Sequence, residues 1–121
     1  MKGPHLLVVE DDAGVREPMV EFLRSQGYRV SEAQNGIEAL NALDRDQTVD
    51  LILLDLAMPV MSGVQFLEEK AKRPELAHIS TLVLSGNEYS RKSLAALGVD
   101  IFLKKPIAPP DLVSIVDRRL H

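Results

Sequence analysis

Three short apolar runs, each ended abruptly by charge, constrain this chain more than any other feature. Leu6-Leu7-Val8-Val9 runs into Glu10-Asp11-Asp12, Leu51 to Leu54 into Asp55, and Ile101-Phe102-Leu103 into Lys104-Lys105-Pro106. Apolar runs this short and without polar alternation read as strands buried on both faces, as in a parallel sheet covered by helices. The charged groups then stand at the carboxyl ends of strands, where open α/β sheets bind their ligands. Carboxylates gathered there raise one another's pKa unless they share a cation, and an all-oxygen ligand set suits a hard ion such as Mg²⁺.

Between these runs, strand-like and helix-like segments alternate, five of each, the order of βαβ units joined by right-handed crossovers. Asp12 is placed to cap a first helix whose Val15, Met19, Phe22 and Leu23 form one apolar stripe, with Gly27 at its end. Pro18 lies beyond the first turn of that helix and predicts a kink. Tyr28 to Ala33 mixes polar and apolar residues, as an edge strand does, and Ile37, Leu40 and Leu43 mark a second helix after Gly36. Met58 to Gly63 reads as a loop, and Val64, Leu67 and Ala71 as a third helix that Pro74 terminates. Ser80 to Ser85 is a fourth strand, followed by a brief helix with Leu94 and Leu97 up to Gly98. After the strand through Phe102, Pro109 or Pro110 opens a last helix carrying Leu112, Ile115, Val116 and Leu120.

A chain of 121 residues fits one domain, here expected to span 1–121, and is long enough to bury a core without staples. The absence of Cys excludes disulfides and thiolate metal sites. A net charge of -4 with no basic stripe offers no footprint for direct nucleic-acid binding. The apolar run before Glu10 is only four residues long, too short for a signal-peptide core or a membrane span, so a cytoplasmic location without membrane attachment is expected. His5, His78 and His121 are too scattered to form a metal cluster and are expected at the surface. Lys70, Lys72, Arg73, Arg118 and Arg119 fall at helix C-termini, where cations complement the dipole.

Several motifs fall in order at strand ends: Glu10-Asp11 after the first, Asp55 with Met58-Pro59 and Ser62-Gly63 after the third, Ser85-Gly86 after the fourth, and Lys105-Pro106 after the fifth. With these residues in this order the chain resembles the receiver domains of bacterial two-component response regulators, over essentially its whole length. The resemblance implies a flavodoxin-like, three-layer α/β/α fold with a five-stranded parallel sheet in order 2-1-3-4-5. It also implies that Asp55 accepts a phosphoryl group from a phosphohistidine on a sensor histidine kinase or a histidine phosphotransfer protein. Mg²⁺ would be held by Asp11 and Asp55, by Glu10 through a water, and by the backbone carbonyl of Ala57. Lys105 would pair with Asp55 and then with a phosphoryl oxygen, while Lys104 points elsewhere. The Ser85 hydroxyl would donate to a phosphoryl oxygen and draw its loop inward, with Gly86 leaving room. Phe102 occupies the aromatic switch position; most relatives have Tyr there, so this chain would report the switch by packing alone. The stretch from Ser85 to Lys105 looks a couple of residues shorter than in most receivers, which predicts a truncated fourth helix on the signalling face.

The expected function is therefore a phosphorylation-driven switch read by a downstream effector protein, acting as a monomer or weak homodimer. It is not an enzyme in the ordinary sense, although it assists its own phosphorylation and dephosphorylation. A receiver-shaped binding module that is never phosphorylated is the first alternative. A phosphatase working through an aspartyl phosphate is the second, but it usually carries another acid two residues after the nucleophile, and Ala57 stands there. A nucleotide-binding domain fits poorly, because neither G-x-G-x-x-G nor G-x-x-x-x-G-K-[ST] follows the first strand. Asp12 by itself reads as a helix cap, and Met58 and Met61 as space-fillers.

Overall fold

Side chains on a strand point alternately to its two faces, so a wholly apolar strand requires cover on both. A computed structural model, describing residues 3–46, 48–56, 61–86 and 91–120 apart from the side chains of Arg91 and Ser93, has that arrangement. Strands β1 (His5–Val9), β2 (Arg29–Ala33), β3 (Leu51–Asp55), β4 (Ser80–Ser85) and β5 (Val99–Lys104) form one sheet in order β2-β1-β3-β4-β5. Every pairing is parallel. The helices are α1 (Ala13–Ser25), α2 (Gly36–Arg45), α3 (Gly63–Ala71), α4 (Pro74–Ala77), α5 (Arg91–Ala96) and α6 (Pro109–Leu120).

The strands divide their side chains between two cores. Leu7, Val9, Ile52, Leu54 and Val83 pack with Leu40, Leu43, Phe66 and Leu67 of α2 and α3. Leu6, Val8, Leu51, Leu53, Leu82 and Leu84 pack with Val20, Leu23, Leu112 and Val116 of α1 and α6. The fold is thus the flavodoxin-like α/β/α sandwich expected. Register aligns the strand ends at one edge of the sheet: Val9 lies opposite Leu54, Asp55 opposite Leu84, and Ser85 opposite Lys104.

Several local expectations change. Pro74 ends α3 as expected but also opens the one-turn α4, because proline's fixed φ suits the first helical position. Among the described residues there are therefore six helices. α1 contains Pro18 without a break, as expected, but its buried residues are Val20 and Leu23, while Val15 of the expected stripe is 40% exposed. α5, the brief helix expected before Gly98, is six residues long as described.

His5 is not at the surface. It starts β1 at 4% exposure, with Nε2 2.7 Å from Ser31 Oγ and Nδ1 3.1 Å from Thr48 Oγ1. Lys70 sits at the end of α3 but is buried rather than solvated; its Nζ donates to the Ala77 carbonyl at 3.2 Å. Burial pushes the Lys70 ammonium below its ordinary pKa, against the pull of Asp100. No described helix is long and apolar enough to cross a membrane.

Candidate functional site

Each chemical group of the site is presented by a strand end and locked there by the element that follows. The Glu10 N–H donates to the Ala33 carbonyl at 3.0 Å, one step beyond the β1–β2 ladder. Asp12 then caps α1, its carboxylate accepting from Gly14 N at 2.8 Å. Glu10 and Asp11 are thereby pinned between a strand and a helix N-terminus.

Asp55 ends β3 and is 8% exposed. The chain returns close to it: Gly63 N donates to the Leu56 carbonyl at 2.9 Å, and a Cβ at Gly63 would stand 2.8 Å from the Asp55 carbonyl oxygen. Only glycine permits that approach. Ser62 completes the turn with a capping box, its hydroxyl accepting from Gln65 N while the Gln65 side chain accepts from Ser62 N.

On the other side, Lys105 N donates to the Ser85 carbonyl at 2.8 Å, carrying the β4–β5 pairing one residue further, and a cis peptide joins Lys105 to Pro106. The Lys105 ammonium reaches inward, 2.8 Å from Glu10 Oε1 and 3.4 Å from Asp55 Oδ2. Burial alone would lower the Lys105 pKa, but its hydrogen bond to Glu10 and the charges of Asp55 and Glu10 outweigh that and raise it.

Carboxylate oxygens of Glu10, Asp11 and Asp55 lie within 4.8 Å of one another. Glu10 is buried, Asp11 exposed. Burial, a hydrogen bond shared with Glu10 and the nearby charges of Glu10 and Asp12 raise the pKa of Asp11, against its own backbone hydrogen bond. Three clustered carboxylates facing one ammonium are an all-oxygen set with negative charge to spare, which fits a hard divalent cation.

The structure thus brings together Glu10, Asp11, Asp55 and Lys105. Ser85 is fully buried at the end of β4, next to Lys104 in the ladder. The position of Gly86 has open space around it. Phe102 is half-buried on β5 and packs against the core shared with α2 and α3. Ala57 lies outside the described residues, as do Met58 and Pro59.

Sequence reasoning missed Arg16. Its Nη1 donates to the Glu10 carbonyl at 2.7 Å and its Nε to Glu32 Oε1 at 3.1 Å. The signal was available, since Arg16, Val20 and Leu23 are spaced i, i+4, i+7 and share the face of α1 that meets the sheet.

A family model described as the response regulator receiver domain matches residues 6–117. The two-component response regulator ORR3 of Oryza sativa subsp. indica is 32% identical over 117 residues, covering 95% of this chain and 89% of that protein. The phosphate regulon transcriptional regulatory protein PhoB of Pseudomonas aeruginosa is 36% identical over 94% of this chain, which spans half of that protein's length. Among solved structures, a CheY-like receiver domain protein from Methanospirillum hungatei superposes with a TM-score of 0.85 at 27% identity, covering 97% of this chain and 93% of that one. The response regulator TrrA from Thermotoga maritima, solved in complex with Mg²⁺ and BeF, gives a TM-score of 0.82 at 28% identity, over 96% of this chain and 98% of that one.

Proposed function

This chain belongs to the response regulator receiver domain family, and from that premise we propose that residues 1–121 form one receiver domain whose Asp55 carboxylate is the phosphoacceptor. The donor is a phosphohistidine on a sensor histidine kinase or a histidine phosphotransfer protein. An Asp55 carboxylate oxygen attacks phosphorus, the phosphorus–nitrogen bond breaks, and the histidine nitrogen leaves with the electron pair and takes up a proton. One observation carries this reading: acids from the ends of β1 and β3 and a lysine from just beyond β5 meet at a single point.

Glu10, Asp11 and Asp55, with the Ala57 carbonyl, would hold Mg²⁺, which when bound offsets the charge of the carboxylates and phosphoryl oxygens. Lys105 is near enough to Asp55 to follow charge onto a phosphoryl oxygen. Ser85 supplies a hydroxyl donor from β4, and Phe102 responds through a change of packing. The face read by an effector protein is built from α5, β5 and α6, where β5 is a half-buried edge strand. Populations of two conformers shift on phosphorylation, so the protein acts as a switch rather than a turnover enzyme.

The test is incubation of the protein with acetyl phosphate and Mg²⁺, followed by intact mass measurement. A phosphoryl adduct on the native chain and none on Asp55→Asn is the expected result. No adduct on either protein would favour an unphosphorylated binding module, and steady hydrolysis of small phosphate esters would favour a phosphatase.

A further inference from the structure

We propose that Arg16 is a positioning residue of the carboxylate site, gripping the Glu10–Asp11 peptide so that both acids face one cation; this rests on the metal-binding reading given above. Two independent contacts define the grip. Arg16 Nη1 donates to the Glu10 carbonyl at 2.7 Å, and Nε donates to Glu32 Oε1 at 3.1 Å. Glu32 lies on β2 opposite Val8, and Arg24 reaches its other oxygen at 3.8 Å. The guanidinium therefore bridges two adjacent strands from a third element, with its side chain only 12% exposed.

The Glu10 carbonyl is a sensitive point to hold. β1 ends at Val9, so the Glu10 carbonyl lies beyond the strand, while the preceding peptide is tied through the Glu10 N–H to Ala33. The carbonyl belongs to the peptide joining Glu10 to Asp11, and its orientation sets the direction in which the Asp11 side chain departs. A rigid planar fork with several donors can hold two acceptors at a fixed angle; a lysine ammonium provides a point contact without that geometry. The Arg16–Glu32 ion pair alone would be an ordinary, weakly stabilising surface pair. Its role here is to aim the guanidinium at Glu10.

Mg²⁺ titration by calorimetry on the whole chain tests this, using wild type, Arg16→Ala, Arg16→Lys, Glu32→Gln and the ligand-deleted Asp11→Asn. Loss of an outer partner of a metal ligand typically weakens binding at least about tenfold, and that is the shift in Kd expected for Arg16→Ala. Arg16→Lys and Glu32→Gln should fall between it and wild type. Phosphorylation by acetyl phosphate should need correspondingly more Mg²⁺ for its half-maximal rate, with the maximal rate retained. A purely structural arginine would behave differently: the maximal rate would drop with the Mg²⁺ requirement unmoved, and that result overturns the proposal, as does a wild-type Kd in Arg16→Ala. If Arg16→Ala does not fold, the graded Kd values of Arg16→Lys and Glu32→Gln decide the matter. Wild type that binds no Mg²⁺ at all would instead overturn the metal-binding reading, and this inference with it.

Discussion

The Lys105 ammonium is held more closely by Glu10, at 2.8 Å, than by Asp55, at 3.4 Å. The lysine is thus anchored by an acid that is not the proposed phosphoacceptor, and its strongest contact can persist when Asp55 is modified. The same contact means that Lys105 neutralises two largely buried carboxylates at once.

Replacing Lys105 with Met should expose that dependence. Removing one partner of a fully buried ion pair costs about 3–5 kcal/mol, and partial exposure of Lys105 reduces the expected loss to about 1–2 kcal/mol in metal-free protein. Because its pKa is raised, the lysine's contribution is fully present below the ordinary 10.5 and lost only as pH rises through the higher folded value. Urea unfolding at pH 7 with and without Mg²⁺ checks this, with the deficit shrinking when Mg²⁺ is added. An unchanged midpoint in metal-free Lys105→Met would contradict it.

Asp11→Asn should stabilise the metal-free protein while removing its response to metal. The folded pKa of Asp11 is raised, so the folded state holds a proton that the unfolded chain releases, and stability falls as pH climbs from 3.8 through the folded value. At neutral pH the ionised side chain is therefore a liability, modest because Asp11 is exposed. Thermal melting should show a higher Tm for Asp11→Asn without Mg²⁺ and little further gain with it, whereas wild type gains with Mg²⁺.

Gly63→Ala should damage the loop behind Asp55. The added methyl would stand 2.5 Å from Leu56 Cα and 2.8 Å from the Asp55 carbonyl oxygen, and backbone atoms cannot rotate aside. Overpacking of this kind costs about 1–3 kcal/mol. Chemical denaturation measures the loss, and weaker Mg²⁺ binding should accompany it because the main chain of Asp55 must shift. Full stability and affinity in the variant would show that the loop has slack.

His5 predicts an acid-sensitive fold at the end of the sheet remote from the site. Burial and the charge of Arg29 lower its pKa, outweighing attraction to Asp46 and Asp50. As pH falls below 6.5 the unfolded chain takes up the proton first, so the stability contributed by neutral His5 is present above 6.5 and is lost as pH falls through the folded value. Asp46 stays ionised over this window because its hydrogen bonds to Thr48 lower its pKa. Between pH 7 and 5, wild type should lose more Tm than His5→Gln, which keeps polar contacts but cannot charge. Parallel pH profiles would refute the assignment.

The strands were legible because their signal is local: an apolar run of four or five residues ended by charge has few other uses. Glu10, Asp11, Asp55 and Lys105 could be singled out for the same reason, each falling within the first two charges after such a run. His5 was misjudged because its type favours solvent, and the burial of Lys70 was not legible; only three-dimensional neighbours such as Ser31, Thr48 and the Ala77 carbonyl offset the cost of burying them. Val15 was misjudged because a stripe at i, i+4, i+7 defines a face without saying which of two adjacent faces meets the sheet. The spacing of Arg16 with Val20 and Leu23 places it on the sheet-facing side of α1, but only the tertiary structure shows that the Glu10 carbonyl is its partner.

By itself the order of residues determined the strand inventory, the helix cap at Asp12 and the chemical character of the site, whereas the Ser62 cap and the need for glycine at position 63 emerged only from the structure. Tertiary structure alone decided how the charges are shared. Glu10 and Lys105 are 95 positions apart, so no local periodicity can set the distance between them. That distance follows from the register of β1, β3, β4 and β5, and register is a property of how whole strands bury their two faces against the helices.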